Sequence, residues 1–282
     1  AEHLKRLTVD DLSQAISLIL DYKLPREVVP TEFLNSPRVW EALLQDMPIR
    51  ALLRNLGKMT SVGTLTALGS NTRKAINLIM STDRIMRARI HPLDLYTALH
   101  QYGLGHGNKG KLTWVPNASI LNALNSAFYD SFTTIVPSRK RILLALDVSS
   151  SMLDGSIGGV EGLSPRTASA IMAMVTMRTE PYHYVMAFSH RLVPLNINAS
   201  MSLKEVCNVM ERIGFGGTNC GLPAIWATEN DVDVDMIAMY TDSETNIGII
   251  HPQAAIERYR LKTALPCRQA IVGLVSNGFS IA

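Results

Sequence analysis

The sequence predicts two architectures in series: an array of short stacked helices over residues 1–136, then an α/β domain with a mostly parallel sheet over 137–282. Three observations lead there. Through about residue 135, apolar residues recur at helical spacing between Pro and Gly punctuation, with no strand-like run. From Pro137 onward, continuous apolar runs alternate with helical stretches, the pattern of a parallel sheet covered on both faces. The charge also divides. Residues 50–140 carry twelve Lys/Arg against three Asp, whereas residues 141–282 carry ten basic and thirteen acidic residues, so the overall net charge of +3 hides a basic first part.

In the first part, "TVDDLSQAISLILDYK" opens on cap-type residues and carries Leu12, Ile16, Leu18, Ile19 and Leu20 at roughly helical spacing. "NSPRVWEALLQDM" offers Ser36 as N-cap with Pro37 at the first helical position. "MPIRALLRNLGKM", "NTRKAINLIMS", "HPLDLYTALHQYG" and "PNASILNALNSAFYDSF" follow as further helices. Consecutive helices without strands suggest an array in which each pair buries its face on the next, although no clean sequence repeat is visible.

"VPSRK", at Val136–Lys140, reads as the linker. "RKRILLALDV" is then a buried strand, and "SPRTASAIMAMVTMRTE" a helix with Ser164 as cap and Pro165 at its first position. "YHYVMAFS", "VDMIAMYTD" and "RQAIVGLVS" are strands; "SLKEVCNVMERI", "LPAIWATEN" and "HPQAAIERYRLK" are helices between them.

Composition excludes several classes. A hydrophobic fraction of 47% with 18% charged residues describes a chain with a core, not a disordered one. No apolar run approaches the roughly 20 residues of a membrane-spanning helix, and "AEHLKRLTVDDL" lacks a signal-peptide pattern. The chain begins with Ala1 rather than Met, which suggests that its natural start lies upstream. Cys207, Cys220 and Cys267 are odd in number, far apart and without metal-ligand spacing, which suits free thiols in a reducing compartment.

The strand "LLALDVSSSM" poses the functional question: it ends in a carboxylate with hydroxyls crowded behind it. In open parallel sheets, ligands collect at the carboxyl ends of strands. Asp147, Ser149 and Ser151 form D-x-S-x-S at one such end, "FGGTNCG" places Thr218 in a glycine-rich loop, and "MYTD" puts Asp242 at another strand tip. Two carboxylates and three hydroxyls make a hard-oxygen set suited to Mg²⁺, or to Mn²⁺, with room for an oxygen from outside. The plainer alternative is that the hydroxyls cap the following helix and the aspartates bind loop amides. Taken in this order, the three motifs resemble the von Willebrand factor A fold, a Rossmann-like α/β domain whose metal-ion-dependent adhesion site (MIDAS) has this form.

Residues 22–60, residues 88–132 and "SNGFSIA" at 276–282 are more specific still. They resemble the Ro ribonucleoproteins of the Telomerase–Ro–Vault family, and the resemblance covers nearly the whole chain. It implies a ring of HEAT-like helical repeats closed by an A-type domain. It further implies binding of small noncoding Y RNAs on the ring's outer surface and of misfolded RNA ends in its hole, in a cytoplasmic and also nuclear setting. Family members are much longer at the N-terminus, and the A-type domain is expected to lack its last helix here.

Candidate RNA contacts come from the basic part. Arg50, Arg54 and Lys58 recur every four residues and form one stripe on a helix. Arg84, Arg87 and Arg89 cluster before "IHP", and the glycine-rich "GLGHGNKGKLTW" carries His106, Lys109, Lys111 and Trp114. A solvated helix face explains the stripe equally well, packing is the better role for Trp114, and His91 before Pro92 reads as a helix start. Catalysis finds no support, since no G-x-S-x-G elbow, P-loop or activated thiol is present. The expectation is an RNA-binding scaffold, not an enzyme, with a small structured noncoding RNA as partner and a second protein offering a carboxylate to the metal. The alternatives are a metal-dependent interaction module without RNA binding and, weakest, a metal-dependent hydrolase.

Overall fold

The computed structural model describes residues 2, 4–108, 110–213, 216–242, 245 and 247–275. The chain divides into two compact units, 1–134 and 135–282. Among the described residues no helix is long and apolar enough to cross a membrane.

The first unit consists of α1 (Leu12–Tyr22), α2 (Pro37–Leu43), α3 (Ile49–Ser61), α4 (Ser70–Ile79), α5 (Thr82–Arg87), α6 (Pro92–Leu104) and α7 (Ala118–Asp130), with short 3₁₀ turns between them. Leu52, Leu56 and Met59 form the buried stripe of α3, each contributing about 1.5–3 kcal/mol by leaving water. Helix α6 packs on α7 and α3, and α4 packs on α7. The starts of these helices use local acceptors. Ser81 Oγ accepts the Arg84 N–H, His91 Nδ1 accepts that of Leu93, and Asn117 Oδ1 accepts that of Ser119. Ser36 stands at the N-cap position of α2 but makes no cap hydrogen bond, so Pro37 carries that start. Sequence periodicity did not separate α5, a helix too short to show an apolar repeat.

The second unit is a five-stranded sheet in the order β3-β2-β1-β4-β5. Its strands are β1 (Ile142–Asp147), β2 (His183–Phe188), β3 (Leu192–Pro194), β4 (Met236–Thr241) and β5 (Arg268–Gly273). Helix α8 (Pro165–Thr179) lies between β1 and β2 in the chain, α9 (Leu203–Glu211) and α10 (Leu222–Glu229) between β3 and β4, and α11 (Pro252–Thr263) between β4 and β5. All pairings are parallel except β2 with β3. Strand β3 was not anticipated: three residues paired on one side leave no periodic signal.

Strand β1 is central and buried from Leu143 to Asp147. Leu143 and Ala145 join Ile237, Met239, Ala224, Ala227, Ile256 and Tyr259 in one cluster beneath α10 and α11, while α8 packs on β1 and β2. The connections leave β1 and β4 in opposite directions along the sheet, so the crevice at their carboxyl ends is a topological switch point. "SNGFSIA" and any element at 276–282 lie outside the described residues.

Candidate functional site

Strands β1 and β4 run side by side, from Ile142 opposite Met236 to Leu146 opposite Tyr240, so their tips deliver Asp147 and Thr241–Asp242 to one place. Asp147 Oδ1 accepts the Ser149 N–H at 2.8 Å, and Oδ2 accepts the Thr241 hydroxyl at 2.7 Å. The Ser149 and Ser151 hydroxyls lie 3.0 Å apart. Both carboxylates are fully buried, Ser149 and Thr218 nearly so, and Ser151 half-buried.

Thr218 arrives on the loop before α10. The Asn219 N–H donates to Ser189 O just past the end of β2 (3.0 Å), and the Ile247 N–H donates to Thr218 O (3.2 Å). Thr245 Oγ1 accepts the Cys220 N–H and donates to Thr218 O, both at 3.3 Å. The Cys220 thiol feels both aspartates. Burial pushes it up to about 12, and the charges of Asp147 and Asp242 push in the same direction.

The electrostatics are those of two anions held out of water. Burial raises the Asp147 carboxyl above the ordinary carboxylate range, and Asp242 adds to that. The Ser149 N–H, the Thr241 hydroxyl and the Ser149 hydroxyl oppose it. Asp242 Oδ2 is buried with no hydrogen-bond partner among the described residues. Such an atom costs desolvation free energy unless something pairs with it. A divalent cation with hard-oxygen preference fits this set: two carboxylates, three hydroxyls and one unpaired carboxylate oxygen. Among the described residues no group of three or more His, Cys, Asp or Glu is placed to hold a metal. Among the described residues, the hydroxyls are therefore integral to a cation site here.

Sequence reasoning missed two contributors. Thr241 bridges toward both aspartates, 2.7 Å from Asp147 Oδ2 and 3.4 Å from Asp242 Oδ1. Arg166, 2% exposed, donates from Nη2 to Val148 O and Ser149 O, each at 3.1 Å. Its sequence signal was a cation in the first turn of a helix, where the dipole disfavours it. No thiol is a ready nucleophile, since burial holds Cys207 and Cys267 up at about 11 as well.

The basic candidates separate into two kinds. Arg50 is exposed but engaged: it pairs with Asp94 at 3.1 Å and donates to Ala88 O and Arg89 O, closing the carboxyl end of α5. Lys58 Nζ donates to Asn35 Oδ1 at 2.9 Å. Arg50 and Arg54 are both exposed and Lys58 is half-buried, so two members of the expected stripe are tied to neighbouring groups while Arg54 stands between them. Arg84, Arg87 and Arg89 are exposed, with Arg87 paired to Asp83 at 3.0 Å. His106 is half-buried and bridges to Thr113, Lys111 is exposed, and Lys109 lies outside the described residues. Trp114 packs inward: Nε1 donates to Tyr102 O at 2.9 Å, its ring stacks on Tyr102, and it lies so close to Gly57 that a Cβ there would sit 2.7 Å from the indole.

Comparison with known proteins follows the same division. A family model described as the Ro60 vWA domain matches residues 141–282, and one described as the TROVE domain matches residues 20–102. The chain is 39% identical over 281 residues to the RNA-binding protein RO60 of Deinococcus radiodurans, covering 99% of this chain and 53% of that protein. It is 38% identical over 269 residues to the RNA-binding protein RO60 of Caenorhabditis elegans, covering 95% and 41%. The crystal structure of the Deinococcus radiodurans RO (RSR) protein superimposes with a TM-score of 0.90 at 38% identity, over 99% of this chain and 56% of that one. The chain thus spans about half the length of the relatives it matches.

Proposed function

This chain belongs to the Ro60 family, and from that premise we propose that it is the RNA-binding scaffold of a ribonucleoprotein, with a divalent-cation site in its A-type domain. The observation that carries the reading is the segregation of charge. The helical unit exposes Arg54, Arg84, Arg87, Arg89 and Lys111, while the other unit buries Asp147 and Asp242 at its strand tips. Exposed cations meet phosphates at little desolvation cost, and buried carboxylates meet a metal. The RNA implied is a small structured noncoding RNA of the Y class, or the end of a misfolded RNA. Arg50 and Lys58 are already engaged, by Asp94 and the carbonyls of 88–89 and by Asn35, and so are less free to meet a phosphate than Arg54.

At the strand tips, Asp147, Ser149, Ser151, Thr218 and Asp242 would hold Mg²⁺ or Mn²⁺ directly or through water. The bound cation would supply a Lewis-acid position for a carboxylate oxygen of a partner protein. The chain's own residues orient the donors: Thr241 fixes the Asp147 carboxylate, and Thr245 and Ile247 fix Thr218. The reading needs no catalytic step. It places the protein in the cytoplasm, and also the nucleus, where its free thiols stay reduced.

A second reading, a metal-dependent protein-interaction module without RNA binding, draws on Leu153 and Ile249. Both are exposed, one just after Ser151 and the other on the loop that holds Thr218. Fluorescence anisotropy of a labelled small structured RNA, at low and physiological salt with Mg²⁺ or EDTA, decides between them. The scaffold reading expects binding that weakens steeply with salt, ignores EDTA and falls when Arg54, Arg84 and Arg87 are reversed to Glu. RNA affinity that tracks Mg²⁺ and Asp147 overturns the division of labour, and no binding above a charge-matched control leaves the interaction module.

A further inference from the structure

Arg166 occupies a place that two general costs disfavour. It is almost fully buried, where a guanidinium loses its hydration, and it follows the cap Ser164 and Pro165 in the first turn of α8, facing the positive end of the helix dipole. Its partners are specific. One nitrogen, Nη2, reaches both Val148 O and Ser149 O at 3.1 Å, the two carbonyls that separate Asp147 from the second half of the D-x-S-x-S turn. The carboxylates whose charges act on it are Glu211 and Asp147.

We propose that Arg166 is a positioning residue of the cation site: it clamps the Val148–Ser149 backbone so that Asp147, Ser149 and Ser151 present their oxygens to one metal ion. The proposal rests on the divalent-cation reading above. The turn needs such a clamp because it leaves the sheet at this point. The Val148 N–H makes the last ladder bond, to Phe188 O at 3.0 Å, after which the hydrogen bonds of Ser149 and Ser151 among the described residues are short local ones apart from that of Arg166. A charged donor shared between two carbonyls fixes the peptide planes on either side of the Ser149 Cα, the first of which carries the Ser149 N–H that orients Asp147 Oδ1. The alternative role, a mere counter-charge for Asp147, predicts the opposite metal response, since a nearby cation repels a metal ion.

The test is Mn²⁺ uptake by the full chain, followed by loss of the free-ion electron paramagnetic resonance signal, in wild type, Arg166→Lys, Arg166→Met and the control Arg178→Lys. Arg178 also lies on α8 and donates to a carbonyl, Met201 O at 2.9 Å, belonging to the segment just before α9. Lysine keeps the charge but loses the planar fork; methionine loses both. The clamp expects both Arg166 variants to bind Mn²⁺ at least about tenfold more weakly and Arg178→Lys to bind as wild type does. It also expects amide hydrogen exchange at 149–152 to speed up in Arg166→Lys while β1 and β4 stay protected. Wild-type affinity in Arg166→Lys overturns the clamp, as does equal or tighter binding in Arg166→Met. Should Arg166→Met fail to fold, Arg166→Lys alone decides. Absence of Mn²⁺ uptake by the wild-type chain overturns the cation reading itself, and the clamp with it.

Discussion

The two units treat buried polar groups in different ways. In the helical unit, Thr64, Thr72 and Ser131 are the buried polar residues described, and each donates to a backbone carbonyl, of Pro37, Thr66 and Phe128 respectively. Each is satisfied where it stands, as a structural group must be, and the buried atom of this unit without a hydrogen-bond partner among the described residues, Gln101 Oε1, belongs to a half-buried neutral amide rather than to a charge. In the α/β unit, Asp147, Ser149, Arg166, Thr218 and Asp242 are all below 5% exposure around one crevice, and one carboxylate oxygen there has no partner. A satisfied buried hydroxyl holds the fold together. A buried carboxylate with an unpaired oxygen is kept at a cost, and that cost points to a ligand.

Removing one charge from the crevice tests this contrast with the largest expected effect. Asp242→Asn should weaken Mn²⁺ or Mg²⁺ binding on the order of a hundredfold, because affinity at oxygen sites follows the number of anionic ligands. The same change should leave the Tm of the metal-free protein unchanged or higher, since it relieves a buried charge beside Asp147. Calorimetric metal titration and thermal melts in EDTA measure the two halves. A large fall in metal-free Tm would mean that Asp242 serves the fold rather than a ligand.

Trp114 gives the corresponding experiment in the helical unit. Its indole is held between Gly57 and Tyr102, with its N–H already donated to Tyr102 O. Trp114→Ala should cost about 2–3 kcal/mol of stability, a little below the usual range for a buried tryptophan because the ring is half-buried. RNA affinity per folded molecule should stay within about twofold of wild type, against the roughly 1–3 kcal/mol expected if the ring stacked on a base. Thr72→Val should cost less, about 1 kcal/mol by urea denaturation, and leave metal binding alone. A metal response to Thr72→Val would erase the distinction between the two kinds of buried polar group.

Much of this contrast was legible in the sequence where local chemistry decides. The apolar run Leu143–Leu146 announced a two-face-buried strand, Ser164–Pro165 announced a helix start, and the spacing of Asp147, Ser149 and Ser151 announced an oxygen-rich tip. Groups whose roles depend on distant chain segments were not legible. Arg50 read as a free surface cation; it is exposed, but the carbonyls that engage it lie 38 and 39 residues further along. Arg166 was passed over in the sequence because its carbonyl acceptors lie 17 and 18 residues earlier, on the turn after β1. Strand β3 has one paired edge and three residues, too few for a pattern.

The smallest effect concerns a device that both units share, a His-Pro helix start. His91 Nδ1 accepts the Leu93 N–H at 3.1 Å, and His251 Nδ1 accepts the Gln253 N–H at 3.3 Å. Either cap works only while Nδ1 is unprotonated. At His91, burial lowers the imidazole below its ordinary value, against a smaller opposing pull from Asp94. The unfolded chain therefore binds the proton first as pH falls. The cap's contribution is complete above the ordinary histidine value of about 6.5 and is lost progressively below it, down to the lower value of the folded state. His91→Asn keeps an acceptor that does not titrate. Between pH 7.5 and 5.5, wild type should lose about 0.5 kcal/mol more stability than His91→Asn, at the low end of capping effects. Parallel stability–pH curves for the two proteins would show that the α6 cap does not depend on the neutral ring, and that α6, unlike the crevice at β1 and β4, is insensitive to the charge at its end.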